Sequence, residues 1–118
     1  MLLSAVPILA SLNTAETIAF YTKTLDFTFY SEWDGYLIFG KDGVFLHFWT
    51  TDNPEIPKQT GCYINVDHVD ELYAKYESTG CVHPNGALTD MPWGMRQFSI
   101  LDNNGNIIHF GEDRQNDV

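Results

Sequence analysis

The stretch Asp42-Gly43-Val44-Phe45-Leu46-His47-Phe48 returns later in the chain as Asn104-Gly105-Asn106-Ile107-Ile108-His109-Phe110. In both copies a turn signal, Asp-Gly or Asn-Gly, is followed by an apolar run and a His-Phe pair. Two further strings, Phe20-Tyr21-Thr22-Lys23 and Leu72-Tyr73-Ala74-Lys75, precede these copies in the same order. A repeated order of matching strings predicts two modules of one architecture.

The first module reads as β-α-β-β-β. We expect a strand at 5–11, a helix starting at Asn13 or Thr14, and strands at about 27–33, 36–40 and 44–50. Asn13 is a suitable N-cap, and Ile18, Tyr21 and Leu25 give the helix one apolar stripe.

The second module repeats that order with one insertion, which we place at Pro84–Gly94. We expect a strand at 62–66, a helix at 69–78, a strand from Cys81, and strands at 96–101 and 106–110. A type I′ turn at Asn103-Asn104-Gly105 is predicted to join the last two. The sequence therefore predicts one α+β domain spanning 1–118, with modules at about 4–50 and 60–111, a linker at 51–59 and a polar tail at 112–118.

The composition excludes several classes of function. The formal charge of −10 repels nucleic acid and anionic membranes, and it either attracts a cationic ligand or serves only solubility. Cys62 and Cys81 lack the spacing of a disulfide framework or a zinc site, so we expect small buried thiols. The apolar N-terminus has no basic residues and is interrupted by Pro7, and no run reaches the roughly 18 apolar residues of a membrane span. We expect a cytoplasmic protein.

The tandem βαβββ pattern resembles the vicinal oxygen chelate superfamily, which includes glyoxalase I, extradiol dioxygenases and bleomycin-resistance proteins. The strings that carry the resemblance are Ala19–Phe27, similar to a helix ending in "FY…LGF", and Leu101–Asn106, similar to a "DPDGN" hairpin. Asp26 stands where Gly is usual, and Asn103 stands where Pro is usual. Three further strings, Ser4–Leu9, Val66–Ala74 and Pro92-Trp93-Gly94, resemble the bleomycin-binding branch.

This resemblance implies a homodimer that exchanges its N-terminal strand about Pro7, with two ligand grooves at the dimer interface. It also implies that the flat bithiazole of bleomycin, in its copper-loaded form, lies between aromatic rings while its cationic tail lies near acids. The drug is then sequestered and not transformed, with no cofactor and no partner beyond the antibiotic and the second subunit.

The superfamily's enzymes hold a divalent metal with one His or Glu from each of four strands. Here the two early-strand positions fall at about Val6 or Pro7 and at about Gly61, which cannot bind a metal. His47 and His109 occupy the other two positions, and two imidazoles alone make a weak site. We therefore predict no metal, with both histidines lining a polar cup.

Aromatic and acidic residues are the candidate ligand contacts. Tyr36 and Trp93 match the family's aromatic clamp, and Gly94 follows Trp93 in its turn. Strand alternation puts Phe45, His47 and Trp49 on one face of their strand and Leu46 and Phe48 on the other. The full predicted set is Tyr36, Trp93, Trp33, Phe39, Trp49, Gly94, His47, His109, Glu32 and Asp34, with Asp90 as a further acid near the cationic tail.

Three hypotheses follow. The first is non-catalytic sequestration of bleomycin-type glycopeptide antibiotics. The second is a metal-dependent enzyme of the same superfamily, a glyoxalase-like lyase or thiol transferase that uses His47 and His109. The third is a binding module for another planar cation.

Overall fold

The computed structural model describes residues 1–114, and the last four residues of the predicted polar tail lie outside that range. The chain divides into two compact units, one of Met1–Thr60 with Asn103–Asn106, and one of Gly61–Asp102 with the residues from Ile107 onward. We call them unit 1 and unit 2. Each contains one four-stranded mixed sheet and one principal helix, so the predicted α+β class is confirmed.

Unit 1 follows the predicted β-α-β-β-β order. Its elements are β1 (Ile8–Ser11), α1 (Thr14–Ala19), a π-helical turn (Phe20–Thr24), β2 (Thr28–Trp33), β3 (Tyr36–Lys41), β4 (Val44–Thr50) and a 3₁₀ turn (Pro57–Gln59). The sheet order is β1-β4-β3-β2, with β1 parallel to β4 and the other pairs antiparallel. The Asn13 side chain accepts the Glu16 backbone N–H at 2.9 Å, which confirms the predicted cap.

Unit 2 contains β5 (Gly61–Asn65), α2 (Val69–Glu77), β6 (Thr89–Asp90), β7 (Met95–Leu101) and β8 (Ile107–Asp113). Its sheet order, β5-β8-β7-β6, repeats that of unit 1. The predicted strand at Cys81 is wrong, because Val82 makes only an isolated bridge to Ile100 before the chain turns at 83–86. The polar tail also begins later than predicted, since β8 continues to Asp113.

Two of the three predicted tight turns have the conformation that their local sequence predicts, and the third does not. Asp34-Gly35 and Asp42-Gly43 have positive φ at both residues and join paired strands as two-residue loops, as Asp-Gly predicts. The predicted type I′ turn at 103–105 is wrong. Of its three residues only Gly105 has positive φ, and five residues separate the paired Leu101 and Ile107.

The Asn103–Asn106 turn completes unit 1 at the edge of β1. The Pro7 and Ser11 carbonyls accept hydrogen bonds from β4 and from Thr51, so the Ala10 carbonyl between them points away from β4. Asn106 Nδ2 donates to that carbonyl at 2.9 Å, and Asn104 Oδ1 accepts the Leu12 N–H at 2.9 Å. Two asparagine side chains thus satisfy backbone groups that an edge strand would leave unpaired.

Each sheet buries one face against its helix. In unit 1, Tyr21 is fully buried and its ring lies 4.9 Å from Phe48 and 5.4 Å from Phe39, centroid to centroid. In unit 2, Tyr76 packs in the same way on Phe98 and Phe110. The opposite faces of the two sheets are less covered, and we call them the open faces.

Candidate functional site

The side chains of β4 alternate between the core and the open face of unit 1. Leu46 and Phe48 are fully buried, whereas Phe45 and Trp49 are 41% and 40% exposed and His47 is half-buried. This confirms the predicted division of the strand. The open face of unit 1 therefore carries aromatic rings and one imidazole on its central strand.

Tyr36 and His47 form a coupled pair on this face. The Tyr36 hydroxyl lies 2.8 Å from His47 Nδ1, and the two rings meet edge to face with centroids 5.4 Å apart. The hydrogen bond restricts both ring orientations, so Tyr36 presents a fixed aromatic surface. The arrangement also gives the Tyr36 hydroxyl a role that the sequence did not indicate.

Tyr30 joins the open face through a β-bulge. The register between β2 and β3 shifts between Phe29 and Ser31, and the Tyr30 ring lies 5.7 Å from that of Phe45. Both rings close over Gly40, where an added Cβ would lie 2.7 Å from Tyr30 Cε2 and 2.9 Å from Phe45 Cε1. Tyr30 was missed in the sequence because a bulge changes which face a side chain occupies.

The β2–β3 hairpin contributes the most exposed tryptophan and two acids. Trp33 is 82% exposed and pairs in register with Tyr36, so both rings belong to the same end of the sheet. Glu32 and Asp34 flank Trp33 and are exposed. This end of unit 1 therefore combines aromatic surface with negative charge.

Phe39 lies elsewhere. It is fully buried, with its ring 5.4 to 5.5 Å from those of Tyr21, Phe29 and Phe48 on the helix side of the sheet. Its side chain packs in the core of unit 1 and presents no surface to a ligand.

The open face of unit 2 is more polar. Tyr63 is 41% exposed, donates its hydroxyl to Gln97 Oε1 at 2.9 Å, and stacks on His109 with centroids 6.0 Å apart. His109 Nδ1 lies 2.7 Å from Ser99 Oγ. The repeated histidines thus have different Nδ1 partners, a tyrosine in unit 1 and a serine in unit 2.

The environment of His109 favours its neutral form. Burial, with a smaller contribution from the charge of His83, lowers the pKa of His109 below its ordinary value of 6.5. A neutral imidazole hydrogen-bonded at Nδ1 is a polar, uncharged group on the open face of unit 2.

The side chains do not fit the metal site of the superfamily's enzymes. The two early-strand positions carry no ligating group, and Gly61 packs so closely on Ile107 that a Cβ there would overlap the Ile107 carbonyl. Across residues 1–114, no three His, Cys, Asp or Glu side chains are grouped so that they could hold a metal ion.

Trp93 lies in the loop between β6 and β7 and is 57% exposed. Gly94 follows it with φ of 92°, a conformation that favours glycine, and its N–H donates to the Met91 carbonyl at 3.0 Å. Asp90, predicted to face a cationic tail, instead forms a bidentate ion pair with Arg96. This pairing lowers the pKa of Asp90 and offsets its charge.

No helix within the described part of the chain combines the length and apolarity needed to cross a membrane.

Among curated proteins, the bleomycin resistance proteins of Geobacillus stearothermophilus and Staphylococcus aureus are each 29% identical over an alignment of 126 positions. That alignment covers 92% of this chain and 96% of each relative.

Solved structures show the same fold. A bleomycin resistance determinant encoded on transposon Tn5 superposes with a TM-score of 0.82 at 22% identity, covering 93% of this chain and 97% of that one. The bleomycin-binding protein of Streptomyces verticillus, solved with copper(II)-bleomycin, gives 0.81 at 24% identity, covering 93% and 95%. A family model described as the glyoxalase/bleomycin resistance protein/dioxygenase superfamily matches residues 8–110. The chain therefore belongs to the glyoxalase/bleomycin resistance protein/dioxygenase superfamily, as its sequence resemblance predicted.

Proposed function

We propose that this protein binds bleomycin-type glycopeptide antibiotics, including their copper-loaded form, and confers resistance by sequestration. The observation that carries the proposal is the open face of unit 1, where the exposed rings of Trp33 and Trp49 accompany the oriented ring of Tyr36. The curated relatives named bleomycin resistance proteins support it.

The ligand's two ends match two properties of this surface. A flat bithiazole gains on the order of 1 kcal/mol per stacked ring beyond the burial of area. Glu32 and Asp34 supply exposed negative charge beside Trp33, and a cationic tail is attracted to them. We propose Tyr36 and Trp93 as the principal stacking residues, with Trp33, Trp49, His47 and His109 as further contacts.

We propose that this site binds its ligand without catalysing a reaction. His47 and His109 are the candidate metal donors, and two imidazoles alone make a weak metal site. We propose that the ligand leaves the protein unaltered and that sequestration occurs in the cytoplasm, before the drug reaches DNA.

We further propose that the functional form is a homodimer. Met1, Leu2 and Leu3 are almost fully exposed and precede Pro7, whose fixed φ favours an extended arm. Exchange of this arm between two copies would cover its apolar side chains. A monomeric mass by light scattering across micromolar concentrations would contradict this part of the proposal.

Calorimetric titration with copper(II)-bleomycin tests the binding. Trp93→Ala should weaken binding at least about thirtyfold, because truncating an aromatic anchor typically costs about 2 kcal/mol or more. Tyr36→Ala should weaken it somewhat less. Tyr36→Phe keeps the ring but releases His47, so we expect a loss of about two- to tenfold. Tyr73→Phe is the matched control, because it removes a hydroxyl from a ring that packs on Phe98 in the core of unit 2.

Mass spectrometry of the recovered antibiotic distinguishes sequestration from modification. Unaltered bleomycin and affinity that falls with added salt are expected, since salt screens exposed charges. No binding by the parent protein would refute the proposal and favour another planar cation. Metal-dependent turnover of a glyoxalase-type substrate, lost in His47→Ala, would favour the enzyme.

A further inference from the structure

The loop that carries Trp93, residues 91–94, follows a very short strand. Strand β6 has only two residues, Thr89 and Asp90, which pair with Gln97 and Arg96 of β7. Within the loop, the Met91 N–H donates to the Met95 carbonyl at 2.7 Å. A two-residue strand is far shorter than the usual five or six, so side-chain contacts supplement the few backbone hydrogen bonds that hold the loop.

The Arg96 guanidinium forms ion pairs on two sides. Its Nε and Nη2 donate to the two carboxylate oxygens of Asp90 at 2.7 and 3.1 Å, a bidentate contact across the base of the loop. Its Nη1 donates to Asp70 at 3.2 and 3.3 Å, at the start of α2. One side chain therefore ties the loop to a separate helix of the same unit.

Arg114 extends this network to the other end of the loop. Its backbone N–H donates to the Gly94 carbonyl at 2.8 Å, directly beside Trp93. Its Nη2 donates to the same Asp70 carboxylate at 3.2 Å. Asp70 is thus shared by two arginines, one joined to the residue before the loop and one joined to the residue after Trp93.

We propose that Arg96 is a positioning residue, which fixes the Trp93 loop through Asp90 and Asp70 and so preorganises the ring for stacking on the ligand. The inference rests on the proposed function for the identity of the ligand, but not for the ordering of the loop. An isolated surface ion pair contributes little, whereas bidentate arginine pairs within a network impose a geometry. Preorganisation of a ligand contact increases affinity because less freedom is lost on binding.

The mobility of the Trp93 side chain can be measured without a ligand. Of the chain's three tryptophans, Trp33→Phe and Trp49→Phe remove two and leave Trp93 as the reporter. In this background Arg96→Met should lower the fluorescence anisotropy of Trp93 and raise its quenching by acrylamide. Arg96→Lys should give an intermediate result, because it retains the charge but loses the bidentate fork. Lys58→Met is the matched control, since it removes one positive charge and an exposed pair with Glu55.

Affinity for copper(II)-bleomycin is measured in the protein with all its tryptophans. We expect Arg96→Met to raise Kd at least about threefold, and Asp90→Asn to raise it by a similar factor. The double variant with both changes should bind no more weakly than either single variant, because both changes break the same contact. Circular dichroism establishes that each variant is folded, and Asp90→Asn, at an exposed position, replaces Arg96→Met if the latter unfolds.

The outcomes separate the two proposals. Unchanged anisotropy, quenching and affinity in folded Arg96→Met and Asp90→Asn would overturn the positioning role, as would a more mobile Trp93 with unchanged affinity. A parent protein that does not bind bleomycin would refute the proposed function, and the fluorescence of the variants would still decide whether Arg96 orders the loop.

Discussion

Replacing Asn106 with Ala removes the side chain that completes the edge of β1. Asn106 is fully buried, its Nδ2 donates to the Ala10 carbonyl at 2.9 Å, and its Oδ1 accepts from the Thr60 hydroxyl. In the variant the Ala10 carbonyl stays buried and loses this donor. A buried polar group left without its partner costs about 1 to 3 kcal/mol, and the lost packing adds to this.

We therefore expect Asn106→Ala to lower the free energy of unfolding by about 2 to 4 kcal/mol, a large share of the roughly 5 to 15 kcal/mol of a typical domain. Urea denaturation at pH 7 measures it. Asn85→Ala is the control, because Asn85 is exposed and uses its backbone N–H in its contact with His83, and such surface changes usually stay within about 0.5 kcal/mol.

Asn106→Asp sharpens the test. The carboxylate would place an acceptor against the Ala10 carbonyl, so destabilisation at pH 7 should at least equal that of Ala. A buried Asp has a raised pKa, and its protonated form can donate to the carbonyl, so stability should partly return as the pH falls. A loss below about 1 kcal/mol in Asn106→Ala, or one equal to that of Asn85→Ala, would refute the edge-capping role.

Two predictions concern titrating groups in unit 2. Burial lowers the pKa of His109, so the unfolded chain binds a proton at this residue more readily than the folded chain does. The free energy of unfolding should therefore be unaffected by this group above about pH 6.5, and it should fall as the pH drops through the lower pKa of the folded state. His109→Asn should flatten that decline in urea midpoints measured from pH 8 to pH 5, and an unchanged slope would contradict the assignment. Burial, followed by the negative charge of Asp102, raises the pKa of Cys62 to about 11. Iodoacetamide should therefore modify Cys62 slowly at pH 7.5 and rapidly in urea, and equal rates would contradict this.

Local signals predicted the local structure well. The two Asp-Gly turns formed because an Asp-Gly pair tolerates the positive φ that a two-residue hairpin loop requires. Asn13 capped α1 because the cap is contained within four residues. The division of β4 into core and open face followed from alternation alone. The repeat itself was recoverable because both modules keep the same strand order.

The errors arose where pairing or distant contacts decide the outcome. Tyr30 reached the open face through a bulge, which depends on the register with β3. The predicted strand at Cys81 failed because the turn at 83–86 leaves room for only one bridge. Phe39 was a candidate contact by composition, although its odd spacing from Tyr36 already indicated the opposite face of β3. The ion-pair network around Arg96 joins residues that are far apart in sequence, so no local sequence pattern predicts it.

The glycines beneath the tyrosines of the open faces have an evolutionary consequence. Tyr30 and Phe45 close over Gly40, and the Tyr63 hydroxyl lies where a Cβ on Gly111 would be. A change to Ala needs one nucleotide, and it would displace partly exposed rings whose far side is open, rather than side chains packed in the core. Under selection by a bulkier or differently shaped ligand, one nucleotide change at either codon would alter the contour of an open face.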